Sequence, residues 1–213
     1  LEGGTAFIKN NTVGYSWGGA ISMSNNTYAD ISCNMIYQNG AWGGTAGVSI
    51  YNSSAILYNN IFSGNLSFNG GCGGGLSTYN SDTSIINNIF TGNDASRGGA
   101  FYAADSNLIA KNNIIHGNYI SQVGNSVEAV YFGGIGTQDF SYNLLWANQS
   151  QSDTTGIIMG LGNLSADPLL SAYPDYRLQS SSPCIDAGDP DPAYNDKDGT
   201  RNDMGVYGGL YSL

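Results

Sequence analysis

The sequence predicts an all-β fold, a parallel β-helix solenoid of about six coils followed by an irregular C-terminal cap. The first observation behind this prediction is a series of asparagines spaced 25 to 30 residues apart. An internal repeat of this length is typical of solenoids, in which each coil stacks only on its neighbours. The series consists of Asn10, Asn39, Asn65, Asn93, Asn118 and Asn148.

Two further columns accompany this series. One lies five residues earlier in each repeat, with Thr5 in the first repeat, and the other lies eight or nine residues before that. Each repeat therefore contains three corners. The nearer column is Asn34, Asn60, Asn88, Asn113 and Asn143, and the farther column is Asn25, Asn52, Asn80, Asp105 and Gly134.

Between the corners, short strands are predicted. Val48-Ser49-Ile50 shows the pattern, in which apolar and polar residues alternate and one face is buried. The 31 glycines and the asparagine-rich corners disfavour helices. The residues expected to point outward from the first strand of each repeat are Ser22, Ser49, Ser77, Tyr102, Tyr131 and Ile158.

We interpret the asparagines as stacked ladders. Asparagine tolerates the left-handed backbone conformation that a tight corner requires. If the coils are in register, each side-chain amide can donate to the carbonyl of the next, which removes the cost of burying it. The alternative, that asparagine only marks loops, does not explain three columns at fixed offsets.

We predict that residues 1–165 form the coils and that residues 166–213 form a C-terminal capping segment. Both ends of a solenoid need covering, because an end coil exposes unpaired strand edges. The segment from Leu1 to Thr5 shows no capping pattern and no initiator methionine. We therefore expect either missing N-terminal coils or a first coil that contacts a partner or another copy of the chain.

Charge and composition limit the kinds of partner that this protein can bind. The formal net charge of −10 and the pI near 4.1 make nucleic acid a poor partner. No apolar run is long enough to cross a membrane. The abundance of Gly, Asn, Ser, Thr and Tyr fits a secreted or cell-surface protein. We expect Cys33, Cys72 and Cys184 to be free thiols, with a Cys33–Cys72 disulfide as the alternative.

The C-terminal segment is rich in aspartate, and its Asp196-Lys197-Asp198-Gly199 run offers alternating oxygens to a hard cation. It lacks the closing glutamate of an EF-hand. The sequence thus predicts a structural Ca²⁺ site, with the capping of turns as the alternative role. The candidate ligands are Asp189, Asp191, Asp196, Asp198 and Asp203.

Two motifs in this segment carry a family resemblance. Ser182-Pro183-Cys184-Ile185-Asp186-Ala187-Gly188 precedes the Asp196 run, and Asp203-Met204-Gly205-Val206-Tyr207-Gly208 follows it. With the coil repeat, these motifs resemble bacterial secreted right-handed parallel β-helix proteins of the pectin-lyase-like superfamily. The resemblance implies a right-handed helix, secretion and association with polysaccharide. It implies no single activity, because such proteins include lyases, hydrolases and adhesin-like members.

Catalysis is the less favoured prediction. Lyases of this superfamily hold a metal with acids on one strand face, and hydrolases need clustered aspartates, but the outward column carries no acid. The candidate catalytic group comprises Arg97, Tyr102 and Glu128, in which a Tyr/Arg pair acts as base and carboxylate clamp; His116 is the weaker candidate, with a solvated surface histidine favoured over a catalytic one. The alternative is a surface ion pair between Arg97 and Asp94.

Aromatic residues give the main prediction of function. Aromatic faces stack on sugar rings, while serine and asparagine supply hydrogen bonds. We therefore predict a domain that binds polysaccharide or cell-surface glycan. The rival functions are a polysaccharide lyase or glycoside hydrolase, and a structural or adhesive subunit that assembles through its first coil. The loop aromatics could instead fold back to cover the coil edges. The candidate ligand-binding residues are Tyr15, Trp17, Trp42, Phe68, Tyr51, Tyr79 and Tyr131.

Overall fold

The structure is a computed structural model that describes residues 1–120, 128–148 and 152–212. Five complete coils are stacked, and a partial coil adjoins them at each end. All pairings between the named strands are parallel, which confirms the predicted β-helix. The helical content of the described residues is one 3-10 turn, Pro192–Tyr194.

Each coil has three strand faces, which we name A, B and C in chain order. Face A contains the first part of β3 (Ile21–Ser32), then β6 (Val48–Tyr51), β10 (Leu76–Tyr79), β13 (Phe101–Ala104), β16 (Glu128–Gly133) and β19 (Ser152–Thr155). Face B contains β1 (Glu2–Lys9), the second part of β3, then β7 (Ser54–Tyr58), β11 (Asp82–Ile86), β14 (Asn107–Lys111) and β17 (Gln138–Ser141). Face C contains β2 (Thr12–Gly14), β4 (Met35–Tyr37), β8 (Ile61–Ser63), β12 (Ile89–Thr91), β15 (Ile114–His116) and β18 (Leu144–Trp146).

Coil 1 comprises β3 and β4, coil 2 runs from β6 to β8, coil 3 from β10 to β12, coil 4 from β13 to β15, and coil 5 from β16 to β18. The short strands β5 (Gly40–Trp42) and β9 (Leu66–Phe68) pair on a fourth face, between C and A. Faces A and B form one eleven-stranded sheet, because β3 passes their corner without a break. Equivalent residues of successive coils therefore lie one above another.

The core fills the centre of the coils. Inward residues alternate with outward ones along each strand, as in β6, where Val48 and Ile50 are buried and Ser49 is not. Equivalent side chains stack on each other between coils. The rings of Phe62 and Phe90, for example, have centroids 4.6 Å apart and are parallel to within 2°.

Two inner asparagine ladders line the corners at the start and end of face C, as the sequence predicts. In the first, Nδ2 of Asn60 donates to Oδ1 of Asn88 at 3.0 Å and to the carbonyl of Ile31 at 2.8 Å. Its Oδ1 accepts from the amide and side chain of Asn34. The Asn60 amide is therefore satisfied although it is fully buried. The first ladder runs through Asn11, Asn34, Asn60, Asn88, Asn113, Asn143 and Asn163, and the second through Asn39, Asn65, Asn93, Asn118 and Asn148.

The left-handed backbone position differs from the prediction at these two corners. It is held by the residue before each ladder asparagine, such as Asn59 (φ 54°) before Asn60 and Gly64 (φ 64°) before Asn65. The ladder residue itself turns inward. Only the third column, which includes Asn52 (φ 47°), has the left-handed conformation at the predicted residue.

The predicted alignment of the first repeat is wrong by six residues. Val13 pairs with Ile36, so the residue beside Asn39 is Ser16, whose amide donates to Oδ1 of Asn39 at 3.0 Å. Asn11, rather than Thr5, joins the first ladder. Asn10 instead takes the outward left-handed position. Two adjacent asparagines with different roles, Asn10 and Asn11, made the two alignments indistinguishable by spacing alone.

The segment after the coils is irregular, as predicted, but it lies along the side of the solenoid. We call residues 168–212 the C-terminal strap. It packs outside the corner between faces B and C, where Cys184, Met204 and Val206 form a second apolar cluster with Ile89 and other face C residues. A cap would cover only the last coil, whereas the strap reaches back as far as coil 1, where the Cys33 thiol donates to the Tyr211 carbonyl.

A row of outward asparagines holds the strap in place. Nδ2 of Asn59 donates to the carbonyls of Val206 and Gly208, both at 2.9 Å. Asn87 binds the carbonyls of Asp203 and Gly205 in the same way. These bonds use the strap backbone, so they impose little demand on its side-chain sequence.

An ion pair fixes the strap at coil 4. Lys111 Nζ lies 2.8 Å from Asp189 Oδ2 and 3.2 Å from Asp139 Oδ2. Burial opposes the charge on Lys111, but the hydrogen bonds to Asp189 and Asp139 outweigh it and raise its pKa.

All three cysteines are free thiols, as predicted, and burial raises the pKa of Cys184 to about 12.

Candidate functional site

The outward surface of face A is the part of the coils that presents the predicted binding residues. Strand register aligns Ser49 with Ser77, and Tyr102 with Tyr131. The small serines form a polar floor on coils 1 to 3, and the tyrosines rise from coils 4 and 5. The loop before coil 2 borders this floor, since the Thr45 hydroxyl lies 2.5 Å from that of Ser77.

Three aromatic rings beside this floor form an exposed surface, which we call the aromatic platform: Trp17, Trp42 and Phe68. The Trp17 and Phe68 centroids are 6.0 Å apart with planes at 11°, and those of Trp42 and Phe68 are 6.2 Å apart at 29°. Trp17 and Trp42 are 79% and 76% exposed. The rings therefore do not fold back to cover the coil edges.

Gly40 makes the platform continuous. It pairs with Trp17, and a Cβ at this position would lie 3.1 Å from the indole ring. The missing side chain lets Trp17 lie across β5 to reach Phe68 of β9. Sequence reasoning missed this role, although a glycine between two exposed tryptophans was the available signal.

The remaining predicted aromatics separate into pairs. Tyr51 and Tyr79 stack at 5.4 Å with planes at 4°, at the far edge of face A. Tyr102 and Tyr131 stack at 4.7 Å with planes at 3°. Tyr15 lies apart from all of these, because it packs edge-on against Tyr37 of face C at 5.2 Å.

Arg97 joins the second tyrosine pair. Its guanidinium carbon lies 5.4 Å from the ring centre of Tyr102 and 5.6 Å from that of Tyr131, close enough for cation–π attraction. The ion pairs found among the described residues do not include the predicted alternative pairing of Arg97 with Asp94. The guanidinium is thus held against the two tyrosine rings of face A.

The third predicted catalytic residue is placed differently. The Glu128 side chain is only 1% exposed, and its Oε2 accepts from the Thr155 hydroxyl at 3.5 Å. Burial also raises the pKa of Tyr102, and the opposing effect of Arg97 is smaller. A tyrosine base requires the opposite shift. The group therefore has a ring surface and a cation, but neither a lowered phenol pKa nor an exposed acid.

The five aspartates predicted as calcium ligands accept hydrogen bonds from the strap itself. Asp191 caps the 3-10 turn through the amide of Ala193 at 2.9 Å, and Asp198 accepts from the amide of Thr200 at 3.0 Å. Asp189 pairs with Lys111. These contacts fit the alternative role of turn capping.

The remaining two aspartates, Asp196 and Asp203, accept from backbone amides elsewhere in the strap. Asp196 accepts from the amides of Asp203 and Gly209, while Asp203 accepts from that of Asp186 at 2.7 Å. Partial burial raises the pKa of both Asp196 and Asp203. Within the described ranges, no three His, Cys, Asp or Glu residues converge as a metal site. Calcium binding stays a prediction.

Comparison with known proteins places the chain in a family. A family model described as a right handed beta helix region matches residues 1–157. The chain belongs to the right-handed β-helix family. No curated protein and no solved structure matches significantly. No helix in the described part of this β-helix protein has the length and apolar character needed to cross a bilayer.

Proposed function

We propose that this β-helix protein is a secreted or cell-surface domain that binds polysaccharide through face A and the aromatic platform on the adjoining fourth face. The aromatic platform is the observation that carries the proposal. Two indoles, 79% and 76% exposed, stack on the half-buried ring of Phe68, an arrangement that leaves apolar surface exposed and is typical of binding sites. The CH-rich faces of sugar rings can cover such rings while their hydroxyls stay hydrated.

The floor beside the platform supports the same function. Ser49, Ser77 and Thr45 supply hydroxyl groups that both donate and accept, which suits the hydroxyls of a sugar. The serines Ser22, Ser49 and Ser77 lie in register along the solenoid with a coil spacing of about 4.8 Å. A chain with repeating polar groups can therefore make similar contacts on successive coils.

Binding is favoured over turnover by the state of the predicted catalytic group. Glu128 is buried, and the Tyr102 pKa is raised. Both features oppose the acid–base roles that a lyase or hydrolase needs. Arg97, between two tyrosine rings, is suited to holding a ligand against face A.

Affinity electrophoresis in gels that contain uncharged or acidic polysaccharides tests the proposal. The chain has three tryptophans, and Trp146 lies on face C, away from the platform. We expect Trp42→Ala to weaken binding by about tenfold, the loss of one good stacking contact, and the matched control Trp146→Ala to bind normally.

Fluorescence gives an independent readout. In a Trp146→Phe variant, only the two platform indoles emit, so a bound glycan should shift or quench this emission. Normal retardation of a Trp17→Ala/Trp42→Ala variant would refute the proposal. Unsaturated or reducing products formed by the wild type would show that the surface belongs to an enzyme.

A further inference from the structure

The corner between faces A and B carries a second concave surface, which we call the open corner. Its turn residues are Asn52, Asn80 and Asp105, each in the left-handed conformation with φ of 47°, 47° and 49°. Concavities of about 610 Å³ and 700 Å³ share these three residues and Asn107. They therefore form one continuous trough along coils 1 to 4.

A tyrosine pair forms one side of this trough. Tyr51 and Tyr79 are 47% and 43% exposed, and they stand directly before Asn52 and Asn80 in the chain. Strand register continues their column with Ala104 and then Gly133, so no further ring extends this wall. A row of two tyrosine rings thus runs beside the row of corner asparagines.

Coil 5 closes one end of the trough. Its corner spans residues 134–137, whereas those of coils 2 to 4 span two residues each. The amide of Ile135 donates to Asp105 Oδ1 at 2.9 Å, and the Ile135 side chain is 86% exposed. A Cβ on Gly134 would lie 2.0 Å from Asp105 Oδ1, so the loop is fitted closely to the coil below.

The charge of the trough is negative. Asp82 and Asp105 line it, and its described lining contains no Lys, Arg or His. The chain as a whole has a formal charge of −10, which adds a repulsive field for any anion. A uronate or sulfated glycan would therefore be disfavoured here, whereas an uncharged polyhydroxyl ligand would not.

We infer that the open corner binds an uncharged saccharide. This inference rests on the proposed glycan-binding function and adds a second subsite with a defined charge class. Carboxylates and amide oxygens accept from sugar hydroxyls, and amide nitrogens donate to them. The tyrosine pair supplies apolar contact for a sugar face, and the Ile135 loop sets where the bound chain stops.

The strap demonstrates that the other outward corner row can hold a polar chain. Asn59 and Asn87 bind backbone carbonyls of the strap through their Nδ2 groups. The open corner has the same side-chain type in the same backbone conformation. There, within the part of the chain that the structure describes, Asn80 Nδ2 donates only to Asn52 Oδ1, at 2.7 Å, which leaves amide capacity for a ligand.

Titration calorimetry with an uncharged glucan oligosaccharide and a size-matched oligouronate tests the inference. The variants are Tyr79→Ser, Asp105→Asn and Ile135→Ala on this corner. Serine is the natural residue of the same column at Ser24, and asparagine can still accept from Ile135. Tyr211→Ser on the strap, 63% exposed, is the matched control.

We expect Tyr79→Ser to weaken glucan binding about fivefold to tenfold, and Tyr211→Ser to have no effect. Asp105→Asn should weaken glucan binding less than Tyr79→Ser does, and it should improve oligouronate binding. Glucan binding that is lost in Trp42→Ala but unchanged in all three corner variants would refute this inference alone. Equal or tighter binding of the oligouronate would also refute it, and no binding of either ligand would refute the proposed function as well.

Discussion

Two outward corners of the solenoid share a backbone conformation but differ in what covers them. At the corner between faces B and C, Asn59, Asn87 and Asn112 are at most 3% exposed, because the strap lies on them. At the open corner, Asn80 is solvent-exposed. The left-handed conformation of a corner is thus set locally by the chain. Whether the corner is buried, and what it can bind, depends on whether the strap covers it.

The largest loss of stability is expected from removing a ladder asparagine buried behind the corner that the strap covers. Asn88, fully buried behind that corner, donates to the Leu57 carbonyl at 2.9 Å and accepts from Asn60. We expect Asn88→Ala to cost about 4 kcal/mol, since several buried groups lose partners at about 1–3 kcal/mol each. Urea denaturation measures this, and a cost near that of Asn80→Ala would contradict it.

Removing the ion pair between Lys111 and Asp189 should cause the second-largest loss of stability. Lys111→Met leaves Asp189 charged at a site where its side chain is 9% exposed, which costs about 3 kcal/mol. A second measurement is the reactivity of Cys184, which is buried under the strap and should become accessible to thiol reagents in this variant. A variant with wild-type stability and a protected Cys184 would show that the strap is held by its backbone contacts alone.

The same pair gives a pH dependence. The folded pKa of Lys111 is raised, so its contribution is fully present below the unfolded value of 10.5 and is lost as pH rises above it. The free energy of unfolding of the wild type minus that of Lys111→Met should therefore be constant at neutral pH and shrink above about pH 10.5. A difference that grows with pH would have the wrong sign.

A matched pair of glycine variants sharpens the comparison of the two corners. Glycine keeps the left-handed backbone, so only side-chain contacts are removed. Asn87→Gly should cost about 2 kcal/mol, because it strands the carbonyls of Asp203 and Gly205. Asn80→Gly, on the open corner, should change the unfolding free energy by less than about 0.5 kcal/mol. Equal costs would show that the strap contacts contribute nothing.

The smallest effect is expected at the strap's carboxylates. The pKa of Asp203 is raised by burial, so its ionisation opposes folding as pH rises through that value. Asp203→Asn keeps an acceptor for the Asp186 amide and should be neutral or slightly stabilising at pH 7. A chelator should leave the thermal midpoint unchanged. A drop in the midpoint with chelator, restored by Ca²⁺, would support the predicted calcium site instead.

The coils could be predicted from the sequence because they stack in register. Residues with the same structural role therefore recur at a nearly constant spacing. Asn60 and Asn88 recur at one coil length, and the alternation in β6 gives the buried face. The first repeat was misaligned because Asn10 and Asn11 fill the outward and inward roles side by side, so spacing gave no unique choice.

The binding surface was only partly predictable. The exposed tryptophans could be named, but the Trp17–Phe68 stack spans two coil spacings and depends on the space left by Gly40. The strap could not be placed at all. Its course is set by carbonyls such as that of Val206, which every residue carries, so the contacts that place it on the coils leave no pattern in the sequence.

The path of the strap has a consequence for how the molecule comes apart. A bare solenoid loses its terminal coils one at a time, since each coil contacts only its neighbours. Here one segment contacts coil 4 through Asp189, coil 2 through Val206 and coil 1 through Tyr211. Opening an end coil also disturbs contacts at the middle, so unfolding becomes more cooperative and fraying is suppressed. Amide exchange in the four strapped coils should then report one common opening free energy rather than a gradient along the axis.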